Sequence, residues 1–232
     1  MVKSHMKRLV APKTWAIERK TSKWITRPKA GPHSIDKCMA LETVMKELIK
    51  CARTRKEVKI ILNTKSVFVD CKRRKEPKFP VGLMDVLALP EIKQYYRILL
   101  NKKGKIIALP IKKEESNIKL CKIVGKTKIK KDIIQINLFD SRNILFETEP
   151  DYKVGDTLVL SLPDQKIKEH IKLEKNVLVY LTGGKYVGNV GRLEGIDKDT
   201  AKIKLSDGSL IETSKRNLFA IGKEKPLISI DI

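Results

Sequence analysis

Val177-Leu178-Val179-Tyr180-Leu181-Thr182-Gly183-Gly184-Lys185-Tyr186-Val187-Gly188-Asn189-Val190-Gly191-Arg192-Leu193 reads as two strands around a glycine-bearing loop. Aliphatic and β-branched residues fill the flanks, and the glycines between them permit positive φ and close backbone approach. Such a loop can lie against a phosphate chain, with Lys185 and Arg192 supplying charge; a plain β-turn in a small barrel is the alternative. It is not a nucleotide-binding loop, because both flanks are strands and neither GxGxxG nor a GxxxxGK followed by Ser or Thr is matched.

Working upstream, apolar stretches recur at intervals of about ten residues, broken at Asn101-Lys102-Lys103-Gly104, Asp140-Ser141 and Val154-Gly155-Asp156, and downstream at Asp207-Gly208. Residues 91–171 and 172–232 therefore read as a central β domain and a C-terminal β domain. Residues 38–90 differ. Leu41, Val44, Met45 and Leu48 recur at helical spacing within 38–50, and Thr54-Arg55-Lys56-Glu57 is a capping box opening a second helix through Leu62. From Ser66 the pattern turns to short strands, which makes this segment a small α+β module. Residues 1–37 show neither period, carry Trp15 and Trp24 among basic residues and prolines, and read as an extended basic N-terminal arm. Either the arm orders against a partner, or its two tryptophans dock on the body. The fold class expected is α+β multi-domain, mostly β.

Among 232 residues, Lys and Arg number 50 against 27 Asp and Glu, a net charge of +23, and charged residues reach 33% where about a quarter is usual. Such a field is relieved by a polyanion, since binding releases condensed counterions. Basic residues run along the whole chain and are not gathered on one amphipathic helix, which argues against a membrane surface. No apolar run exceeds Val177 to Leu181, so no signal core or transmembrane span is expected, and the protein should be cytoplasmic. The four cysteines form no CxxC pair, His5, His33 and His170 are scattered, and no nucleophile motif occurs. Neither metal, cofactor, small-molecule substrate nor catalysis is expected.

In the arm, His5-Met6-Lys7-Arg8-Leu9-Val10-Ala11-Pro12-Lys13-Thr14-Trp15 and Trp24-Ile25-Thr26-Arg27-Pro28, then Gly31-Pro32-His33, interleave cations with aromatics. That combination suits irregular RNA, where phosphates pair with cations and unpaired bases stack. Arg53, Arg55 and Lys56 at the second helix, with Lys72, Arg73, Arg74 and Lys75 in the following turn, form one patch if the turn folds back over the helix start.

The arm's HxKRLxxPKxW and WxxRPxxGPH, the helix and turn of residues 54–86, and the strand-loop-strand of 177–195 occur in an order that resembles the small-subunit ribosomal protein family of archaea and eukaryotes called S-four-e. Residues 54–86 look like the αL RNA-binding motif and 177–195 resemble a KOW motif, which implies an S-four-like αL domain over 38–90 and a KOW-containing SH3-like barrel over 172–232. The resemblance implies a structural constituent of the small ribosomal subunit, with small-subunit ribosomal RNA and neighbouring ribosomal proteins as partners. Carried over by position, the RNA contacts are Lys7, Arg8, Lys13, Arg27 and His33 in the arm. In the αL motif they are Arg53, Arg55, Lys56, Lys72, Arg73 and Arg74, and in the KOW segment Lys185 and Arg192. Lys65 and Cys71 stand where the αL turn commonly carries glycine, so the turn type differs or packing absorbs the strain. A transcription elongation factor is the rival reading, but it accounts for the KOW segment alone.

Overall fold

The computed structural model describes residues 5–129, 133–148 and 150–230, and within them short antiparallel strands dominate. Two compact units emerge, one of Met1–Leu100 with Lys105–Asn117, the other of Asn101–Gly104 with Ile118–Ile232.

The first unit opens with strand β1 (Met6–Lys7), paired to β2 (Trp24–Ile25), followed by β3 (Cys38–Ala40). Helix α1 (Leu41–Thr43) runs on as a π-helical stretch, Val44–Leu48, so the helical spacing read over 38–50 holds only from Leu41. Cys38, Met39 and Ala40 are instead a strand, buried on both faces and paired to β6 (Pro80–Gly82). A short apolar run buried on both faces carries no period that separates strand from helix. The helical stretch closes on Lys50, which is left-handed at φ 60°, while Cys51 N–H donates to Met45 O across 3.1 Å.

Helix α2 (Arg55–Thr64) starts at the expected capping box: Thr54 Oγ1 accepts from Glu57 N–H at 3.2 Å, and the Glu57 carboxylate accepts from the Arg53 and Thr54 backbone. Those bonds, the Arg53 N–H first and the Thr54 hydroxyl next, hold the Glu57 carboxyl below the usual glutamate range. Val58 and Leu62 are its buried contacts. Beyond it, β4 (Phe68–Val69) and β5 (Lys72–Arg73) form a hairpin whose register leaves Asp70-Cys71 as the turn. Both turn residues have positive φ, 51° and 60°, the signature of a type I′ turn. Asp70 is held by exchanging bonds with Val86, whereas Cys71 carries a Cβ where such turns favour glycine. Lys65, the other position lacking the expected glycine, is extended at φ −101° and needs none. We expect Cys71→Gly to stabilise this unit by about 1 kcal/mol, read by urea unfolding followed through Trp fluorescence, since both tryptophans belong to this unit. An unchanged midpoint would show that the turn holds no strain.

Strand β7 (Val86–Leu89) pairs with β4 on one side and β8 (Gln94–Leu100) on the other, and β9 (Ile106–Pro110) completes the sheet in the order β5-β4-β7-β8-β9. The sheet runs straight across the boundary expected between residues 90 and 91. It does so through a tight turn, Pro90–Ile92, closed by Lys93 in the left-handed region.

The arm is not an extended tail. Trp15 is 1% exposed, its indole N–H donates to Ile35 O at 3.4 Å, and Ile106 N–H donates to Thr14 O at 2.7 Å, which seats the arm beside β9. Trp24 stays 51% exposed, so of the two tryptophans only Trp15 is buried against the body.

In the second unit, β10 (Ile118–Lys128) serves two partners. Ile118–Lys122 pair with β13 (Thr157–Ser161), and Ile123–Lys128 pair with β11 (Ile134–Leu138), across a register shift between Ile123 and Gly125. β12 (Asn143–Phe146) and β14 (Lys166–Ile171) complete the order β12-β11-β10-β13-β14. Alternate residues Cys121, Ile123, Ile136, Leu138, Leu158 and Leu160 turn inward to one core. A further sheet has the order β18-β17-β16-β15-β19, from β15 (Leu178–Leu181), β16 (Val190–Asp197), β17 (Thr200–Leu205), β18 (Leu210–Ser214) and β19 (Leu218–Gly222). Its core gathers Val179, Leu181, Leu193, Ala201, Ile203, Ile211 and Leu218.

Candidate nucleic-acid interface

The β1–β2 ribbon, the helical stretch 41–48 and the start of α2 enclose a cleft of about 280 Å³. Arg27 follows β2, Arg55 opens α2, Lys46 lies on the π-helical stretch and Lys78 precedes β6, so cations from four separate segments converge on it. Trp24 supplies an aromatic wall, with the His5 ring edge-on at 5.8 Å and Lys23 Nζ 5.5 Å from its centroid. Two carboxylates line the same cleft: Glu47, paired to Arg8, and Glu42, whose Oε2 lies 3.5 Å from Arg55 Nε. Arg27 and Arg55 belong to the residues singled out in the sequence. Lys46 and Lys78 do not, because an isolated lysine in a basic chain carries no signal until the fold places it.

Arg8 and His33 are turned inward. Arg8 is 5% exposed, its Nη2 donating to Glu47 Oε1 at 2.9 Å and its Nε to Glu18 O. His33 Nε2 sits 2.9 and 3.0 Å from the two Asp85 oxygens, both residues buried, and Asp85 also accepts from Gly82 N–H at 2.9 Å. Lys7 and Lys13 are exposed.

The patch expected to join helix and turn is divided. Arg73 Nη2 donates to Asn63 O and Lys65 O, each at 3.4 Å, so the hairpin folds against the C-terminal end of α2, where the helix dipole favours a cation. Arg53, Arg55 and Lys56 are exposed at the opposite end of a ten-residue helix, a separation of roughly 15 Å. Lys72 is exposed, while Arg74 is half-buried with its guanidinium 4.2 Å from the Phe79 ring centroid.

In the second unit, residues 182–189 connect β15 to β16. Gly184 and Gly188 have φ of 85° and 81°. A Cβ on Gly188 would clash with the Asn101 carbonyl, and one on Gly183 would stand 2.8 Å from Asn217 Oδ1. These glycines therefore admit the chain's own neighbours, a use the sequence did not distinguish from approach to phosphate. Lys185 is exposed beside Tyr186, with Nζ 5.6 Å from the ring. Arg192, exposed on β16, joins Lys102 and Lys204 along a groove of about 550 Å³.

Comparison with known proteins places these features in a family. Residues 2–36 match the model of the RS4NT (NUC023) domain, and residues 92–167 match that of Ribosomal family S4e. The small ribosomal subunit protein eS4 of Methanosphaera stadtmanae is 39% identical over 98% of this chain and 96% of its own length. Its counterpart from Methanocaldococcus jannaschii is 40% identical, covering 98% of each chain. The crystal structure of the 30S ribosomal protein S4e from Thermoplasma acidophilum is 29% identical and superposes with a TM-score of 0.72, over 83% of this chain and 100% of that one. A basic, mostly β chain whose relatives match from end to end therefore belongs to the eS4 family of small ribosomal subunit proteins.

Proposed function

We propose that this chain is a structural constituent of the small ribosomal subunit that holds ribosomal RNA by both of its units. Family membership supports the ribosomal role and the location on the ribosome. The cleft supports the RNA role: Arg27, Lys46, Arg55 and Lys78 line it together with the half-exposed Trp24, which sets phosphate-binding charge in one cleft with a stacking surface. In this reading α2 with the β4–β5 hairpin serves as an αL motif, and β15, β16 and their loop as a KOW motif. Lys7, Lys13, Arg27, Arg53, Arg55, Lys56, Lys72, Lys185 and Arg192 face RNA. Arg8, His33 and Arg74 position the backbone that carries them, and Arg73 binds the helix end while its charge faces outward. Neighbouring ribosomal proteins complete the surroundings, in the cytoplasm, without catalysis or cofactor.

Sedimentation of tagged protein through sucrose gradients tests this directly. Retention with small-subunit RNA at high salt is expected, whereas migration with RNA polymerase would support the elongation-factor reading instead. At residue level, replacing Arg55 and Lys72 together by Ala is expected to lower the slope of log K against log salt by about 1.5, since each phosphate contact contributes roughly 0.7 to 0.9. An unchanged slope would place both side chains in solvent.

A further inference from the structure

The cleft holds one feature that phosphate binding does not use. Glu42 is 3% exposed and lines the cleft, yet its Oε2 is buried and accepts no hydrogen bond. Arg55 Nε, 3.5 Å away, offsets the charge without donating, and the Arg55 side chain is itself 52% exposed. A buried carboxylate oxygen without a donor is costly, and the cost is removed by a ligand that brings N–H groups. The second carboxylate is already satisfied by Arg8. Glu42 is thus the acceptor in the cleft that a ligand would complete.

Resting on the RNA-binding reading above, we propose that this cleft is a pocket for a single unpaired guanine, with Glu42 reading its edge, Trp24 stacking on its face and Arg27 and Arg55 taking the flanking phosphates. The choice of base follows from donor geometry. Ionised carboxylate only accepts, and it accepts best from two parallel donors. Guanine presents N1–H and N2–H2 side by side. Adenine and cytosine each set an amino group beside a ring nitrogen whose lone pair faces the carboxylate, and uracil sets one N–H between two carbonyl oxygens. In this picture Arg55 exchanges its long contact with Glu42 for a phosphate, as an exposed guanidinium can.

The test uses the full chain and labelled pentaribonucleotides UUGUU, UUAUU, UUCUU and UUUUU, with affinities read by fluorescence anisotropy at low salt. UUGUU is expected to bind about tenfold more tightly than UUUUU, the size of one bidentate base contact. Glu42→Gln should reduce that preference below twofold, because the amide turns a donor toward guanine, while binding of UUUUU stays level or strengthens as a negative charge is lost. A preference that survives Glu42→Gln would remove Glu42 as the reader. Inosine, which lacks the 2-amino group, gives a check on the unaltered protein: UUIUU should bind about fivefold more weakly than UUGUU. Equal affinities for all the pentamers would overturn the guanine pocket and leave general RNA binding standing. No binding of any pentamer would overturn both.

Discussion

Trp15→Ala is expected to lower the unfolding free energy of the first unit by about 3–5 kcal/mol, the range for emptying a buried aromatic site. The indole is 1% exposed and anchored by its N–H to Ile35 O, and its backbone lies beside Ile106 in β9. The indole thus ties the arm to Ile35 while the backbone beside it meets β9, and loss of the ring leaves a cavity at this junction. Removing residues 1–33 altogether should cost more, since Arg8, Ala11 and His33 are buried with it. The arm is thus part of the folded unit. Urea titration followed by circular dichroism, and for Trp15→Ala also by the fluorescence of the remaining Trp24, measures the effect; a midpoint equal to wild type would show that the arm lies on the unit without supporting it.

Asp85→Ala should be nearly as damaging, at about 3 kcal/mol or more, because it strips one partner from a buried hydrogen-bonded pair. Asp85 is 1% exposed and accepts from both His33 and Gly82 N–H, tying the end of the arm to the turn after β6. Asp85→Asn, which keeps the shape and one acceptor, should recover part of the loss. Equal stability of the Ala variant and wild type would mean that water or a neighbour replaces the carboxylate. The same enclosure keeps the Cys38 thiol protonated: burial first, then the charges of Asp85 and Asp36, push it up to about 12.

What was legible in the sequence was what short-range chemistry dictates. The Thr54–Glu57 capping box appears atom for atom as a pair of reciprocal bonds, and the strand-loop-strand around residues 182–189 has strands where the aliphatic flanks put them. Where burial decided between equal local options, the sequence was silent. Cys38–Ala40 sits in helical spacing but is claimed by β6, and the turn at residue 90 reads as a boundary although β7 and β8 pair across it. The same holds for the site. Arg8 and Arg27 look alike in the arm and both line the cleft, yet Arg8 is buried against Glu47 while Arg27 is only half-buried. Lys72 to Lys75 follow a turn whose direction depends on Asp70 and Cys71 adopting positive φ, and that direction sends Arg73 to the far end of α2. Long-range pairing is not encoded in spacing, so the partner of each cation waited on the fold.

Lys50, Lys93 and Lys198 all occupy the left-handed region, at φ of 60°, 53° and 48°. At each, glycine would relax the backbone of the isolated molecule. Lysine there raises self-repulsion as well as strain, and the repulsion shrinks once a polyanion surrounds the surface while the strain stays. Glycine at these three turns is thus expected to help the free molecule more than the RNA-bound one, since only the free molecule gains relief of both charge and strain.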